Sequence, residues 1–196
     1  MKSEAHYRYS IPDSVVVGID VYERKPIRFP SLVRIVHPEN PSKRLGIKVC
    51  TKKVRIQGGD YRLEEYPNCC VVERKAGQRE LFKNIFNPQD AVRQAKSFRK
   101  LSLYEYPYVL VELTPQEILT KNPHIPDVDA LMHRVSLVFV KYGFHVLWIP
   151  WRSRKSTSRL QMGTFLVHLM LACALRRNLE ILPEVATGAY TATEIK

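Results

Sequence analysis

The second half of the chain constrains the fold most, because helical and strand patterns alternate there. Residues 108–113 (YVLVEL) and 144–149 (FHVLWI) are short apolar runs of the kind that form buried strands. An amphipathic helical pattern over residues 127–142 separates them, and a further helix runs to about Arg177. Strands that alternate with helices favour a partly parallel sheet with helices packed on its faces.

The first half of the chain predicts more strands for the same sheet. Residues 15–20 (VVVGID) form a buried strand that ends in a carboxylate, and residues 31–45, with their prolines, are interpreted mainly as loop. Three further strand candidates are expected to be joined as hairpins, at residues 47–50, 54–56 and 69–73. The predicted fold class is therefore α/β, with a mixed central sheet flanked by helices.

Helical spacing begins at Gln78 and is interrupted at Asn87-Pro88. Asparagine suits a helix N-cap and proline suits the first helical position, so a second helix is predicted to begin there. The length of 196 residues fits one domain. We predict a flexible leader over residues 1–13, one domain over 14–178 and a weakly ordered tail over 179–196.

The charge balance points to an anionic partner. Thirty-one Lys and Arg face nineteen Asp and Glu, for a formal net charge of +12. Nucleic acid is the leading partner for such a basic domain, and an anionic membrane surface is the alternative. The cysteines show no zinc-site spacing and the N-terminus no secretory signal, so an intracellular protein with reduced thiols is expected. The apolar stretch over residues 162–175 is better explained as a buried helix than as a membrane span.

Two carboxylates and a lysine form the most informative pattern. Asp60 follows a glycine turn, and Glu73 and Lys75 end an apolar run thirteen residues later. Residues two apart on a strand point to the same face. Two converging carboxylates suit Mg²⁺ or Mn²⁺, and a nearby lysine can orient or activate a water and offset phosphate charge. Taken as spacing alone, the pattern is equally consistent with a solvated strand edge.

The segments Gly59-Asp60-Tyr61 and Val71-Val72-Glu73-Arg74-Lys75 together resemble the nuclease domain of XPF-type structure-specific endonucleases, of the PD-(D/E)XK superfamily. The resemblance covers roughly residues 14–178 and is strong over 59–113. It implies a restriction-endonuclease-like core and hydrolysis of DNA at branched or structured sites. The family's first-strand pattern D-x-R-E is matched by Asp20 and Glu23, with Tyr22 at the arginine position.

The resemblance also implies roles for individual residues. Asp60 and Glu73 would hold Mg²⁺ or Mn²⁺, helped by the Arg74 carbonyl, and Lys75 would position or activate the water. Glu23, as a catalytic residue, and Asp20, as a metal ligand, would extend the acidic site. Arg74 would hold local structure or contact phosphate, and Gln94 matches a glutamine on the inner face of the family's second helix. Glu80 stands where the family has an aspartate, with a one-residue shift.

Two basic segments are candidates for contact with DNA. One is a helix face with four cations, for which a merely solvated face is the alternative: Arg93, Lys96, Arg99 and Lys100. The other is a loop near the carboxyl end of a strand, a position where open α/β sheets bind ligands. Its cations are Arg152, Arg154, Lys155 and Arg159.

Three functions follow from these residues. The first is a metal-dependent DNA endonuclease that contains Asp60, Glu73 and Lys75. The second is a non-catalytic DNA-binding or scaffold subunit, since XPF-type proteins often pair an active with an inactive partner. The third is another enzyme of the superfamily, such as a Holliday-junction resolvase. A homo- or heterodimer through nuclease-domain helices is implied as well, and no membrane partner is expected.

Overall fold

A seven-stranded mixed sheet forms the centre of the molecule, in a computed structural model that describes residues 11–37, 40–150 and 156–175. The strand order is β2-β3-β1-β4-β5-β6-β7. The strands are β1 Ser14–Asp20, β2 Leu32–His37, β3 Asn40–Val54, β4 Tyr61–Leu63, β5 Cys70–Lys75, β6 Tyr106–Val111 and β7 His145–Trp148. This architecture, with helices flanking the sheet, confirms the predicted fold class.

The directions of the strands differ from a simple series of hairpins. β1 is parallel to β3 and antiparallel to β4, and β5 is antiparallel to β4 but parallel to β6, which is parallel to β7. The prediction that the early strands are all joined as hairpins was therefore wrong in part. β1 lies between β3 and β4, where its backbone N–H and C=O groups find partners on both sides, and a neighbour in sequence is not required for this.

The interpretation of residues 31–45 as loop was wrong. β2 and β3 form an antiparallel hairpin, in which Val33 pairs with Ile47 and Ile35 with Leu45. The separate strands expected at 47–50 and 54–56 are one strand that ends at Val54. The prolines of this segment suggested a loop, but β2 contains none. Pro41 belongs to β3 and lies where the register with β2 shifts, an irregularity of the kind at which strands accommodate proline.

Helices cover both faces of the sheet. They are α1 Gln78–Phe86, α2 Pro88–Leu101, α3 Pro115–Ile118, α4 Val128–Tyr142 and α5 Ser156–Leu175. The predicted start of α2 is confirmed, since the Asn87 side chain accepts a hydrogen bond from the Asp90 N–H and Pro88 opens the helix. Asp127 caps α4 in the same way, through the N–H of Ala130. Gly143, in the left-handed region, ends α4.

The sheet separates two hydrophobic clusters. On one side α5 contributes Leu166, Met170 and Leu171 to a cluster that includes Val17 and Leu63. On the other side α2 and α4 pack their apolar residues against β5 and β6. A Cβ on Gly163 would stand 1.9 Å from the Arg28 carbonyl oxygen, so only glycine allows α5 to approach that backbone so closely.

Residues 157–175 of α5 are long and apolar enough to cross a membrane by length and composition. Their burial against β-strand residues in the first cluster instead identifies α5 as a core helix. The predicted leader and tail lie almost entirely outside the described residues.

Candidate active site

The candidate site lies at one end of the strands of the sheet, where the strand directions bring several charged side chains together. The parallel strands β1 and β5 finish at this end with Asp20 and Lys75, and Glu112 follows the end of β6. β4 runs the opposite way, so its start, just after Asp60, lies at the same end. The sheet therefore gathers side chains from four strands that are far apart in sequence.

Backbone hydrogen bonds fix Asp60 between two strands. Its N–H donates to the Val72 carbonyl over 2.8 Å, and its carbonyl accepts the Asp20 N–H over 2.9 Å. Its carboxylate Oδ2 accepts the Arg74 N–H over 2.7 Å. Gly58 makes the preceding turn at φ +90°, where a Cβ would meet the backbone of α2 at 2.7 Å. The Asp60 carboxylate is thus held beside Glu73 without help from flexible side chains.

Lys75 is almost completely buried, at 3% exposed. Its ammonium donates to three oxygens: Glu73 Oε1 at 2.6 Å, Asn84 Oδ1 at 3.0 Å and Gln94 Oε1 at 3.1 Å. Glu80 Oε1 lies 3.5 Å away. An ammonium has three N–H donors, so each has a partner. The prediction that Glu73 and Lys75 point to the same face of their strand is confirmed, and the two side chains also pair.

The pKa of Lys75 reflects this set of partners. Burial alone would lower it, but the carboxylates of Glu73, Glu80 and Asp60 outweigh burial and raise the pKa above its usual value. Lys75 is therefore a fixed positive charge in the protein without metal. Such a charge can orient a water or offset phosphate charge, whereas a general base would have to be neutral.

The surroundings of Asp60 disfavour its charged form, whereas those of Lys75 favour the charged form. Burial raises the pKa of its carboxyl well above the usual value, and repulsion from the Glu73 carboxylate raises it further. The Arg74 N–H and the Lys75 charge lower it, but not enough to compensate. Two carboxylates held together in a poorly solvated place favour a proton or a cation between them.

Arg74 ties three segments together beneath the site. Its guanidinium makes two hydrogen bonds to Glu112, at 2.6 and 3.1 Å, and one to Glu23 Oε2 at 3.2 Å. It also donates to the Lys25 carbonyl. Burial alone would lower the pKa of Arg74, but the hydrogen bonds and charge of Glu112 raise it. Arg74 holds local structure, as one of its two predicted roles requires, and its contact with phosphate stays a prediction.

The donor set fits a hard divalent cation. Among the described residues, Asp60 Oδ1 and Glu73 Oε2 accept no hydrogen bond, so each carboxylate keeps one oxygen for a ligand. No cluster of three or more His, Cys, Asp or Glu with metal-binding geometry occurs in the described part of the chain. Mg²⁺ is usually bound through one or two carboxylates plus waters and substrate phosphate, so two carboxylates suffice for it.

The two outer acidic residues lie nearby but are engaged in other contacts. Asp20 Oδ1 accepts the Ile56 N–H at 2.8 Å and its Oδ2 accepts the Tyr22 N–H at 3.1 Å. Glu23 binds Arg74 through one oxygen and the Lys25 N–H through the other, at 2.6 Å. Asp20 thus organises the turn after β1. The metal role of Asp20 and the catalytic role of Glu23 stay predictions.

Asp60 and Glu73 stand between two clefts. The first, of about 450 Å³, is basic and is also lined by three cations of α2 and by the arginine that follows β3: Arg93, Lys96, Lys100 and Arg55. The second, of about 420 Å³, includes Glu23, Lys25, Arg74 and Glu80 in its lining. Tyr22 borders both. An extended anion that crosses the carboxylates could therefore occupy both clefts.

The other predicted DNA-binding residues fall into four groups. Arg93 lines the basic cleft with its side chain 79% exposed, and it pairs with Asp90. Gln94 is turned to Lys75 and Glu73, so the structure gives it a positioning contact. Arg159 donates to the carbonyls of Lys25 and Pro26 and so braces the turn near Glu23. Arg152 and Lys155 lie outside the described residues, and their roles, like those of the others, stay predictions.

Asn84 and Glu112 belong to the site as well, although no local sequence pattern predicted them there. Asn84 lies four residues after Glu80 on α1, so the helical period places both beside Lys75. Glu112 follows a strand that runs parallel to β5, and its N–H donates to the Lys75 carbonyl. A carboxylate at the end of the adjacent parallel strand was a usable signal, but only once the strand order was known.

Two solved structures are similar to this chain. XPF from Aeropyrum pernix is 21% identical with a TM-score of 0.45, and the match covers 80% of this chain and 67% of that one. XPF from Aeropyrum pernix in complex with DNA is 21% identical with a TM-score of 0.44, and the match covers 78% and 66%. This chain thus spans about two thirds of the length of each. No family model and no curated protein matches the sequence.

The raised pKa of Asp60 predicts that a neutral side chain at this position stabilises the folded protein. Asp60→Asn keeps an oxygen for the Arg74 N–H and removes the repulsion from Glu73. Because the folded pKa of Asp60 is raised, the wild-type protein loses stability as pH rises from the usual aspartate value of 3.8 to the folded pKa. Without metal, the variant should therefore unfold a few degrees higher at neutral pH, since about 1 kcal/mol shifts Tm by roughly 2–4 °C.

Thermal unfolding in EDTA at pH 5 and pH 8 measures this effect. The difference in Tm between variant and wild type should be at least as large at pH 8 as at pH 5. Asp129→Asn, an exposed aspartate on α4 outside both clefts, is the control and should give no such gain. If Asp60→Asn has a lower Tm than wild type at both pH values, the claim that the charge of Asp60 destabilises the folded protein is contradicted.

Proposed function

We propose that this protein is a divalent-metal-dependent endonuclease that hydrolyses DNA phosphodiester bonds, with branched or structured DNA as its substrate. One observation supports the proposal above all. The carboxylates of Asp60 and Glu73 line a basic cleft, and each keeps one oxygen for a ligand. The fixed ammonium of Lys75 lies beside them and donates to Glu73. Paired carboxylates with a lysine are the groups that phosphodiester hydrolysis with a hard cation requires.

Asp60 Oδ1 and Glu73 Oε2 would hold the cation, Mg²⁺ or Mn²⁺. When bound, the cation supplies Lewis-acid stabilisation of the charge that builds up on the phosphate and lowers the pKa of a nearby water. In hydrolysis a water oxygen attacks the phosphorus, and the P–O bond on the opposite side breaks. The attacking water releases a proton to solvent, one strand end keeps the phosphate, and the other leaves as a hydroxyl after it takes up a proton from solvent.

The chain's own residues would position this reaction. Lys75 holds Glu73 in one orientation through a 2.6 Å hydrogen bond and brings a positive charge next to the reacting phosphate. Asn84 and Gln94 fix the ammonium, and Glu112 fixes Arg74 below it. Groups that are fixed before substrate arrives need no reorganisation during the reaction, which is the main source of electrostatic catalysis.

The basic cleft would bind the DNA backbone. Arg93, Lys96 and Lys100 are exposed along one side of α2. Arg55, which follows β3, lines the same cleft. Arg99 belongs to the same helix but does not line the cleft. The formal charge of +12 provides a favourable background for the same partner.

A cleavage assay tests the nuclease proposal. Labelled duplex, single strand, flap, fork and four-way junction are incubated with Mg²⁺, Mn²⁺ or EDTA. We expect metal-dependent cutting by wild type, and a loss of at least about 100-fold in Glu73→Gln, since removal of one catalytic electrostatic group typically costs 10²–10³-fold. Asp129→Asn should cut like wild type.

The pattern of cutting separates the alternatives. A preferred substrate, such as a flap or a four-way junction, would assign the branch of the superfamily. Tight binding to one DNA shape without cutting by any variant would contradict the enzyme and favour a scaffold subunit. Equal cutting by wild type and Glu73→Gln would indicate a contaminating nuclease and would also contradict the proposal.

Matched charge removals test the cleft. Lys96→Ala and Lys100→Ala should each weaken DNA binding and reduce the slope of log K against log salt by about 0.9 for duplex, because one phosphate contact and its counterion release are lost. Arg99→Ala removes the same charge from the same helix outside the cleft and should leave the slope unchanged. Fluorescence anisotropy at four salt concentrations measures this, and equal effects of all three variants would contradict a defined backbone path.

A further inference from the structure

Tyr22 is an exposed aromatic residue beside Asp60 and Glu73 of the candidate active site. Its side chain is 71% exposed, although apolar rings are normally buried. It lies two residues after Asp20 and borders both clefts, as do Asp60 and Glu73. The ring therefore stands where an extended ligand would pass from one cleft to the other.

The backbone around Tyr22 is held firmly. The Tyr22 N–H donates to Asp20 Oδ2 at 3.1 Å, and Asp20 Oδ1 accepts the Ile56 N–H at 2.8 Å. The Val21 N–H donates to the Val54 carbonyl at 3.0 Å. These bonds connect the turn after β1 to the end of β3. The exposed ring is thus presented by a fixed turn.

Arg55 forms a platform together with this ring. Its guanidinium carbon lies 4.3 Å from the Tyr22 ring centroid, and its Nη1 lies 3.8 Å from Asp20 Oδ2. The arginine side chain is itself 61% exposed. A tyrosine ring with a guanidinium stacked on it offers two planar surfaces, and both kinds of surface stack with nucleobases.

We propose that the Tyr22–Arg55 pair stacks an unpaired nucleobase next to the phosphate that is cut. This inference rests on the proposed function and specifies its substrate as DNA with a single-stranded nucleotide at the cleavage site. Inside a duplex both faces of each base are covered by neighbouring bases, so a stacking platform engages an unpaired base in preference to an internal base pair. The cations of the basic cleft then hold the backbone on one side of the platform.

Alternative explanations of the pair predict less. A surface cation–π contact alone would stabilise the fold slightly and would not distinguish one DNA from another. Arg55 alone, as one more cation, would favour duplex and single strand alike. Loss of single-strand binding after removal of the uncharged Tyr22 ring is therefore the property that only the platform predicts.

The test measures DNA binding in EDTA, so it does not depend on cutting. Wild type, Tyr22→Leu and Tyr22→Phe are titrated into a single-stranded oligonucleotide with 2-aminopurine and into a blunt duplex of the same sequence. We expect Tyr22→Leu to bind single strand about 5- to 100-fold more weakly, the range for one base stacked on an aromatic residue, with duplex binding unchanged. Tyr22→Phe should bind both like wild type.

The salt dependence and the fluorescence give independent readouts. Tyr22→Leu changes no charge, so its salt slope should equal that of wild type, whereas Arg55→Gln should reduce it. The 2-aminopurine emission should change on binding to wild type and to Tyr22→Phe and should stay unchanged with Tyr22→Leu. Unchanged duplex binding by Tyr22→Leu also shows that the variant is folded.

The outcomes distinguish this inference from the proposed function. Equal single-strand binding by wild type and Tyr22→Leu would overturn the platform, as would a loss shared equally by duplex and single strand, or no single-strand binding by wild type. None of these results bears on metal-dependent cutting. Conversely, if the protein shows the stacking signal but never cuts DNA, the stacking proposal stands and the nuclease proposal is contradicted.

Discussion

The buried ammonium of Lys75 is the contact on which the site depends. A positive charge that is 3% exposed needs oxygen partners, and β5, α1 and α2 each supply one in Glu73, Asn84 and Gln94. These bonds fix the orientation of Glu73 and hold two helices against the end of one strand. Removal of Lys75 would leave Glu73 buried without its counter-charge, so the geometry of the site and the packing around it are coupled.

The charges at this end of the sheet are arranged differently at two levels. Beneath the site the Arg74 guanidinium pairs with both Glu112 and Glu23. Above it burial, and then repulsion from the Glu73 carboxylate, raise the pKa of Asp60. Such an imbalance lowers the stability of the protein alone and favours a cation, and active sites commonly show this conflict between stability and function.

The sequence predicted the parts of the fold in which local signals agree. The start of α2 at Asn87-Pro88, the capping of α4 by Asp127 and the strand that bears Glu73 and Lys75 are confirmed. The β2–β3 hairpin was missed because prolines suggest loops, whereas Pro41 lies within β3 at a shift in the strand register that tolerates it. Asn84 and Glu112 were missed because their contact with the site depends on which strands and helices are neighbours. Strand order is a long-range property that periodicity does not contain.

Binding of Mn²⁺ tests most directly whether Asp60 and Glu73 form a metal site. Isothermal titration of Mn²⁺ into wild type, Asp60→Asn, Glu73→Gln and Asp129→Asn compares the two proposed ligands with an exposed carboxylate. We predict one specific site in wild type and in Asp129→Asn, and binding more than about tenfold weaker in both site variants, since loss even of groups that support a ligand costs 10–100-fold. Equal binding by all four proteins, or no binding by wild type, would contradict the metal site.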